Sequence, residues 1–342
     1  MSEKLFIQYV KRLILLIWVL ILCVLGSTVL FVGDALGLIS FRVKEPQLMA
    51  SASNSTAPEK RALWLAPDTS SIPNNAQGDM IRYGRELIAH TSKYLGPKGT
   101  VRQISNGMNC QNCHLKAGTV PFGNNYARVA SSYPKRRNRS GVIEGFEKRV
   151  NDCIERSLNG EQLDPDSQEM QAMVAYLKWV GKDVQTGETL PGFGLVELAP
   201  LDRPADPVRG ETVYDNYCAR CHGADGEGEL AESGLEWTYP PLYGEHSYNV
   251  GAGLYRVSKF ASYVKANMPY GVTFENPFLT DEEAWDIAAY VNSKPRPKKD
   301  LSADWPDISK KPVDHPFGPY ADSFSEEQHK YGPFATIKAA YQ

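Results

Sequence analysis

Hydrophobic residues recur at helical spacing in two separate regions of the chain. In the first region, from about Asp79 to Lys182, the strings GRELIAH and SQEMQAMVAYLKWVG place apolar residues every three or four positions, which predicts amphipathic helices. The second region runs from about Val208 to Ser293 and closes with LTDEEAWDIAAYVNS, where Thr280 is a candidate helix N-cap. Since strand-like alternation is essentially missing, the pattern predicts a mainly α fold built from two similar domains.

Segments without helical period separate these regions. A Ser-, Ala- and Pro-rich stretch precedes the first region, an extended connector joins the two, and a tail rich in Pro and aromatic residues follows the second. We expect this tail to wrap against the domains. The predicted organisation is an N-terminal membrane anchor at 1–40, a tether at 41–78, a first domain at 79–182, a connector at 183–207, a second domain at 208–297 and a wrapping tail at 298–342.

A continuous apolar run near the N-terminus is long enough to span a bilayer. The run from Leu13 to Val32 holds 20 residues without a charge. Lys4, Lys11 and Arg12 precede it, which favours placing the rest of the chain outside the cytoplasm. A cleaved signal peptide is the alternative, but its apolar region is normally about 7–15 residues long and ends at a small-residue cleavage site. We therefore expect a single-pass transmembrane helix in the cytoplasmic membrane, with the remaining domains on the periplasmic side.

Composition narrows the class of protein without deciding it. The chain has 342 residues, of which 42% are hydrophobic and 23% charged, a balance that excludes wholesale disorder. Its formal net charge is only −3, so no basic field covers the molecule. We therefore expect no nucleic acid as a partner.

Two copies of Cys-x-x-Cys-His carry the candidate chemistry. They are formed by Cys110, Cys113 and His114 in the first region, and by Cys218, Cys221 and His222 in the second. This pattern is the attachment signature of c-type haem, because both cysteines face one side of a turn and the adjacent His can bind the iron. A zinc site would need a closed set of four ligands, and a redox dithiol does not need the His twice. The sequence predicts two covalently attached haem c groups.

The second domain offers a methionine as the sixth iron ligand. Met268 lies in ANMPYG, between the attachment motif and the closing helix, and is followed by Pro269. A thioether ligand of this kind raises the haem potential. His246 is the competing ligand, but its segment PPLYGEHSYN is typical of a loop packed at a haem edge.

The first domain has no methionine between His114 and its closing helix. It holds instead Cys153, which has no disulfide partner, because the haem motifs use four of the other five cysteines and Cys23 lies inside the apolar N-terminal run. Such a cysteine is either buried and inert or a reactive thiol. The missing methionine and the basic neighbours favour a thiolate iron ligand, which lowers the haem potential and is itself capable of sulfur chemistry.

The surroundings of Cys153 are basic in a chain that is acidic overall. Between Leu115 and Gly160, four acidic residues face nine basic ones, a local balance of +5. The basic residues are Lys116, Arg128, Lys135, Arg136, Arg137, Arg139, Lys148, Arg149 and Arg156. Guanidinium groups bind oxyanions well, so this cluster indicates an anionic substrate. A solvated face that binds anionic lipid near the anchor is the alternative.

Several strings resemble the di-haem thiosulfate dehydrogenases, the cytochromes that form tetrathionate. GRELIAHTSKYLG, MNCQNCHLKAGT, YPKRRNRSG and RVNDCIERSLNG are similar to the first domain of that family, and YPPLYGEHSYNVGAG, ANMPYG and EAWDIAAYVNSKPRP to the second. The resemblance covers roughly residues 80–335. It implies haem ligation by His114 and Cys153 in the first domain, and by His222 and Met268 in the second.

The resemblance also implies substrate binding at the Cys153 face, where Ser157, Arg139 and Arg156 match by position. Members of this family often carry a Lys beside the ligand methionine as an alternative ligand. Here that neighbour is Asn267, with Lys265 two positions before the methionine, which leaves a ligand exchange open. The family is also commonly soluble, whereas this chain is predicted to be tethered.

The expected function follows from this resemblance. Two thiosulfate ions would couple to tetrathionate at the first haem, and the electrons would leave through the second haem to a soluble or membrane-bound redox partner. The alternative is a membrane-anchored electron-transfer cytochrome c without its own substrate. A di-haem peroxidase is disfavoured, because no spare His lies near the first motif.

Overall fold

The computed structural model describes residues 11–22, 24 and 62–341. The chain divides into two units, residues 1–59 and residues 60–342. Residues 11–22 are helical and exposed. None of the helices within the described residues is long and apolar enough to cross a membrane. Of the predicted span, residues 23 and 25–32 lie outside the described residues, as do residues 41–61 of the predicted tether.

Helices dominate residues 62–341, as the hydrophobic pattern predicts. The α-helices of the first region are α1 (Ala76–Ala89), α2 (Thr91–Leu95), α3 (Leu115–Gly118), α4 (Val129–Ser132), α5 (Phe146–Ser157) and α6 (Gln168–Val180). Those of the second region and the tail are α7 (Pro207–Tyr217), α8 (Ala219–His222), α9 (Val257–Asn267), α10 (Asp281–Ser293), α11 (Glu326–Tyr331) and α12 (Phe334–Ala340). Short 3₁₀ turns occupy Thr69–Ser71, Cys110–Asn112, Gly253–Tyr255 and Ile308–Lys310.

The described residues contain two small antiparallel sheets of two strands each. In one, β1 (Lys135–Arg136) pairs with β2 (Ile143–Glu144), with Lys135 opposite Glu144. In the other, β3 (Glu229–Leu230) pairs with β4 (Trp237–Tyr239) through an irregular register. Both are short β-hairpins that lie between helices. Lys135 and Arg136 of β1, with Arg137 and Arg139 of the loop that follows, form the basic segment. Tyr239 of β4 packs against the His222 ring of the second attachment motif.

The two domains share one packing plan, in which the first helix crosses the closing helix at a glycine. A Cβ atom at Gly84 of α1 would lie 1.9 Å from the carbonyl oxygen of Ala172 in α6. A Cβ atom at Gly210 of α7 would likewise lie 2.0 Å from the carbonyl oxygen of Asp286 in α10. Only glycine allows backbones to approach this closely. The same contact in both domains indicates a duplicated architecture.

Each domain has its own apolar core. Leu87, Met170, Met173 and Tyr176 are fully buried in the first, where α1 packs on α6. The second core is formed largely by α7, α9 and α10. The closing helix α10 begins after the predicted N-cap, Thr280. The Thr280 hydroxyl accepts a hydrogen bond from the Glu283 amide, and the Glu283 carboxylate accepts one from the Thr280 amide.

The tail packs against both domains. Phe334 and Ile337 of α12 are buried in the second core. Asp314 is buried and pairs with Arg256 and the Ser258 hydroxyl. Towards the first domain, the backbone N–H of Trp305 donates to the carbonyl of Arg139 at 2.7 Å. These contacts bring tail residues beside the basic segment of the first domain.

Polar contacts join the two domains near the first attachment motif. Glu236 accepts a hydrogen bond from Asn109 Nδ2 at 2.9 Å and contacts His90 Nδ1 at 3.0 Å. The Tyr263 hydroxyl of α9 donates to the carbonyl of Asn112 at 2.9 Å. Because Asn109 and Asn112 flank the first attachment turn, these contacts fix its position relative to the second domain.

Candidate haem and substrate sites

The first attachment motif presents one free ring nitrogen of His114. Cys110 opens a 3₁₀ turn, and the His114 ring follows it, stacked on Tyr126 with centroids 4.5 Å apart. His114 Nδ1 lies 2.5 Å from the carbonyl oxygen of Asn124, so Nδ1 is the protonated donor and Nε2 is left with its lone pair. A histidine held in this way is oriented to bind a metal through Nε2.

Cys153 of α5 lies near the His114 ring and lines the same cavity. Its thiol interacts electrostatically with the His114 ring, and Arg149 Nη1 donates to its Sγ at 2.8 Å. Arg149 precedes Cys153 by four residues, the spacing that places two side chains on one helix face. A cavity of about 180 Å³ adjoins these groups, and its wall includes both motif cysteines, His114, Cys153 and Ser157.

The electrostatics of this cavity favour a thiolate. Burial opposes ionisation of Cys153, but the Arg149 guanidinium and the His114 ring outweigh it and lower the pKa of the thiol to about 6. In return, the Cys153 sulfur holds the pKa of Arg149 above its ordinary value, against the effect of burial. Cys110 and Cys113 behave oppositely, because burial raises the pKa of their thiols to about 11 and about 12. Cys153 is thus chemically distinct from the attachment cysteines.

The second attachment motif lines a larger cavity of about 590 Å³. Cys218, Cys221, His222 and Met268 all contribute to its wall. His222 Nδ1 lies 2.8 Å from the carbonyl oxygen of Pro240, which again leaves Nε2 as the free nitrogen. Burial lowers the pKa of His222, so its ring stays neutral, as a metal ligand must be.

The other candidates for the second iron are placed elsewhere. His246 is not among the described residues that line this cavity; its ring packs beside Trp237, with centroids 6.0 Å apart. Lys265 Nζ donates to the carbonyl of Leu279 at 2.7 Å and lies 2.6 Å from an Asp281 carboxylate oxygen.

The residues in the walls of both cavities suit a covalent haem. Each has two cysteines able to form thioethers, an imidazole with its Nε2 free and a sulfur donor in the same wall. Trp237 Nε1 is a buried donor in the wall of the second cavity with no partner among the described residues, as expected where a haem carboxylate would be received. Cys113 lines both cavities, so the two spaces adjoin at the first motif.

The predicted substrate residues fall into two adjacent groups. Ser157 lines the Cys153 cavity, whereas Arg139 and Arg156 do not. Arg156 binds Asp304 of the tail through two hydrogen bonds of 2.8 and 2.7 Å. Arg139 lies on the β1–β2 loop and interacts electrostatically with Arg156.

The sequence analysis did not single out Arg149, which donates to the Cys153 sulfur. Arg149 was one of nine basic residues in the cluster and was given no role of its own. Residues four positions apart on a helix share one face, so the spacing between Arg149 and Cys153 was the signal that could have identified Arg149. Asp304 and Trp305 were also missed, because they reach the first domain only through the fold of the tail.

The comparisons with known proteins agree with this geometry. Residues 207–295 match the family model "Cytochrome c", and residues 100–185 match "SoxA/TsdA, cytochrome c domain". The chain is 35% identical over 262 residues to a thiosulfate dehydrogenase from Psychrobacter arcticus, covering 76% of both chains. It is 36% identical to a thiosulfate dehydrogenase from Allochromatium vinosum, covering 68% of this chain and 83% of that one. The chain belongs to the di-haem thiosulfate dehydrogenase family.

A solved structure supports membership of the thiosulfate dehydrogenase family. The fold is similar to thiosulfate dehydrogenase (TsdBA) from Marichromatium purpuratum, with a TM-score of 0.62 and 32% identity. The match covers 68% of this chain and 50% of that chain, so this protein spans about half the length of that structure. The resemblance inferred from the motifs is thereby confirmed, as is a mainly helical fold with two cytochrome c domains. The chain is therefore a c-type cytochrome of an oxidoreductase family.

Proposed function

We propose that this protein oxidises two thiosulfate ions to one tetrathionate. It would carry two covalently attached haem c groups, with His114 and Cys153 as the residues that would bind the iron in the first domain and His222 and Met268 in the second. The observation that carries the proposal is the placement of Cys153 and His114 in the wall of one cavity, with Arg149 donating to the Cys153 sulfur. Thiosulfate dehydrogenases as relatives at 35% and 36% identity support the choice of substrate.

The reaction joins two dianions and releases two electrons. One S–S bond forms between the terminal sulfur atoms of two thiosulfate ions, and no proton needs to move. Because the two ions repel each other, the site must supply positive charge and hold both in line. Arg149 supplies this charge at the Cys153 sulfur, and Arg139 and Arg156 supply it in the adjacent cluster. Ser157 would add a hydroxyl donor in the cavity wall.

The two sulfur ligands favour electron flow from the first site to the second. When bound, the haems supply the acceptors for the two electrons. A thiolate at Cys153 favours a lower potential than a thioether at Met268, so the ligand pair favours oxidation of thiosulfate over the reverse reaction. Electrons would then pass to a soluble or membrane-bound redox partner. A single N-terminal membrane helix and a periplasmic location of the domains stay predictions from the sequence.

A dye-linked assay tests the proposal on the purified, full-length holoprotein. Thiosulfate should reduce an artificial acceptor, with one tetrathionate formed for two thiosulfate ions consumed, and reduced viologen with tetrathionate tests the reverse reaction. If neither reaction exceeds the rate without protein, the proposal is wrong. Reversible redox cycling without any effect of thiosulfate would favour the electron-transfer cytochrome, and turnover of hydrogen peroxide would favour a peroxidase.

A further inference from the structure

A buried cluster beside α5 contains more positive charge than negative. Arg156 and its partner Asp304 are nearly buried, with 11% and 10% of their side chains exposed. Arg139 lies in the same cluster and has no carboxylate in salt-bridge range among the described residues. Burial and the charge of Arg156 lower the pKa of Arg139 to about 10, although Asp304 opposes this. Two guanidinium groups therefore share one carboxylate.

Three donors in this cluster are buried without a partner. They are the Nε atoms of Arg139 and Arg156 and the indole Nε1 of Trp305, none of which has an acceptor among the described residues. The remaining contact of Arg139 is weak, with Nη1 3.5 Å from the carbonyl oxygen of Gly251. Buried donors are normally satisfied, and leaving one unpaired is costly. Unpaired donors together with an excess positive charge are the features that a buried anion site requires.

The tail holds Trp305 in this cluster through specific contacts. Its backbone N–H donates to the Arg139 carbonyl at 2.7 Å, and its ring centre lies 5.8 Å from the Arg139 guanidinium carbon. The next residue, Pro306, packs against Gly141, where a Cβ atom would lie 2.6 Å from the proline ring. Trp305 itself has φ +61°, a conformation that a bulky residue keeps only where its surroundings enforce it.

We propose that Arg139, Arg156 and Trp305 form an oxyanion subsite that the tail completes. It would bind the sulfonate group of thiosulfate, or one of the two sulfonates of tetrathionate, while the sulfur end lies towards Cys153. Arg156 is adjacent in sequence to Ser157 in the Cys153 cavity, and Arg139 interacts electrostatically with Arg149. The identity of the ligand rests on the proposed function, whereas the subsite rests on the unpaired donors. A haem carboxylate is the other oxyanion that this donor set could receive, and the experiment separates the two.

The variant W305F removes the indole donor and keeps an aromatic ring. Its matched control is W179F, because Trp179 Nε1 is also buried without a partner among the described residues but belongs to the core helix α6. In the holoprotein, W305F is expected to raise the KM for thiosulfate about 10-fold, the usual effect of losing a hydrogen bond to a charged group, with kcat little changed. W179F is expected to keep the wild-type KM.

A binding measurement without turnover separates the subsite from the proposed reaction. Sulfate and tetrathionate are titrated into the oxidised holoprotein, and their dissociation constants are read from the change in haem absorption or from calorimetry. W305F should weaken both about 10-fold and leave both midpoint potentials at their wild-type values. If the wild type does not turn over thiosulfate but W305F still weakens tetrathionate binding, the proposed function fails and the subsite stands.

Two results would overturn the subsite. Anion affinities in W305F equal to those in W179F mean that the indole donates to no such ligand. A shifted haem potential with unchanged anion affinity means that the donors hold a haem carboxylate instead. If W305F does not fold, R139K serves as the second variant, since it keeps the charge but loses the planar fork, and it is expected to weaken tetrathionate binding.

Discussion

Arg149 donates a hydrogen bond to the Cys153 sulfur across one turn of α5, with Nη1 and Sγ 2.8 Å apart. The guanidinium is therefore fixed at the atom where the proposed chemistry takes place. It stabilises negative charge on the sulfur and also raises the positive potential that an incoming dianion meets.

Replacing Arg149 should reduce turnover more than replacing any exposed basic residue nearby. In R149M the Cys153 sulfur loses its charged donor, and we expect kcat/KM for thiosulfate to fall about 10- to 100-fold. Arg128 is exposed and belongs to the same basic region, so R128M is the matched control and should stay close to the wild type. Equal losses of kcat/KM in both variants would mean that Arg149 contributes only to the overall positive potential of the basic region.

The ligation of the second haem should depend on Met268 and not on Lys265. Because Leu279 and Asp281 hold the Lys265 ammonium group, K265Q is expected to leave the spectrum and potential of this haem unchanged. M268L should abolish the near-infrared band of a methionine-ligated ferric haem and lower its potential. Absorption spectra and redox titrations of both variants test this. Loss of the band in K265Q would show that the lysine takes part in ligation.

Acid should destabilise the fold partly through His315. Burial lowers the pKa of this tail histidine to about 4 against an ordinary value of 6.5, and nearby cations including Lys311 and Arg139 add to the effect. Between pH 6.5 and pH 4, His315 is protonated in the unfolded chain but stays neutral in the folded chain. The contribution of neutral His315 to the unfolding free energy is therefore fully present above pH 6.5 and is lost as the pH falls towards 4.

The difference between wild type and H315N isolates this effect. Chemical denaturation of the holoproteins at several pH values should show a shallower loss of unfolding free energy in H315N. The expected difference is about 3 kcal/mol between neutral pH and pH 4. The same pH slope in both proteins would contradict the buried, neutral state of His315.

The shared helix crossing should make two glycines indispensable. G84A and G210A would each push a methyl group into a backbone carbonyl of the facing helix, at a cost of about 3 kcal/mol or more. G253A is the matched control, since a Cβ atom at Gly253 meets nothing within 4 Å, and it should change the unfolding free energy by less than about 0.5 kcal/mol. Thermal or chemical unfolding of the three holoproteins measures this.

The features that were predictable from the sequence are those encoded in short segments. The two attachment motifs, the Thr280 cap and the Met268 segment are read from a few consecutive residues, and the structure shows Thr280 capping α10 and Met268 lining the second cavity. The helical period likewise gave the mainly α fold. Arg149 was within reach of the same reasoning through its helical spacing from Cys153.

The features that escaped prediction depend on contacts between distant segments. Arg139 and Trp305 lie 166 positions apart in the chain and meet only because the tail returns to the first domain. Glu236 of the second domain bonds Asn109 and His90 of the first domain, more than 120 positions earlier in the chain, and no local pattern indicates this contact. Tertiary packing, rather than local pattern, selects such partners.

Electron paramagnetic resonance of the oxidised holoprotein tests the ligation of iron by Cys153 most directly. The wild type should show the low-spin signal of a thiolate-ligated haem, and C153A should lose that signal while keeping both covalent haems and the methionine-ligated signal. Persistence of the thiolate signal in C153A, or its absence from the wild type, would contradict the account.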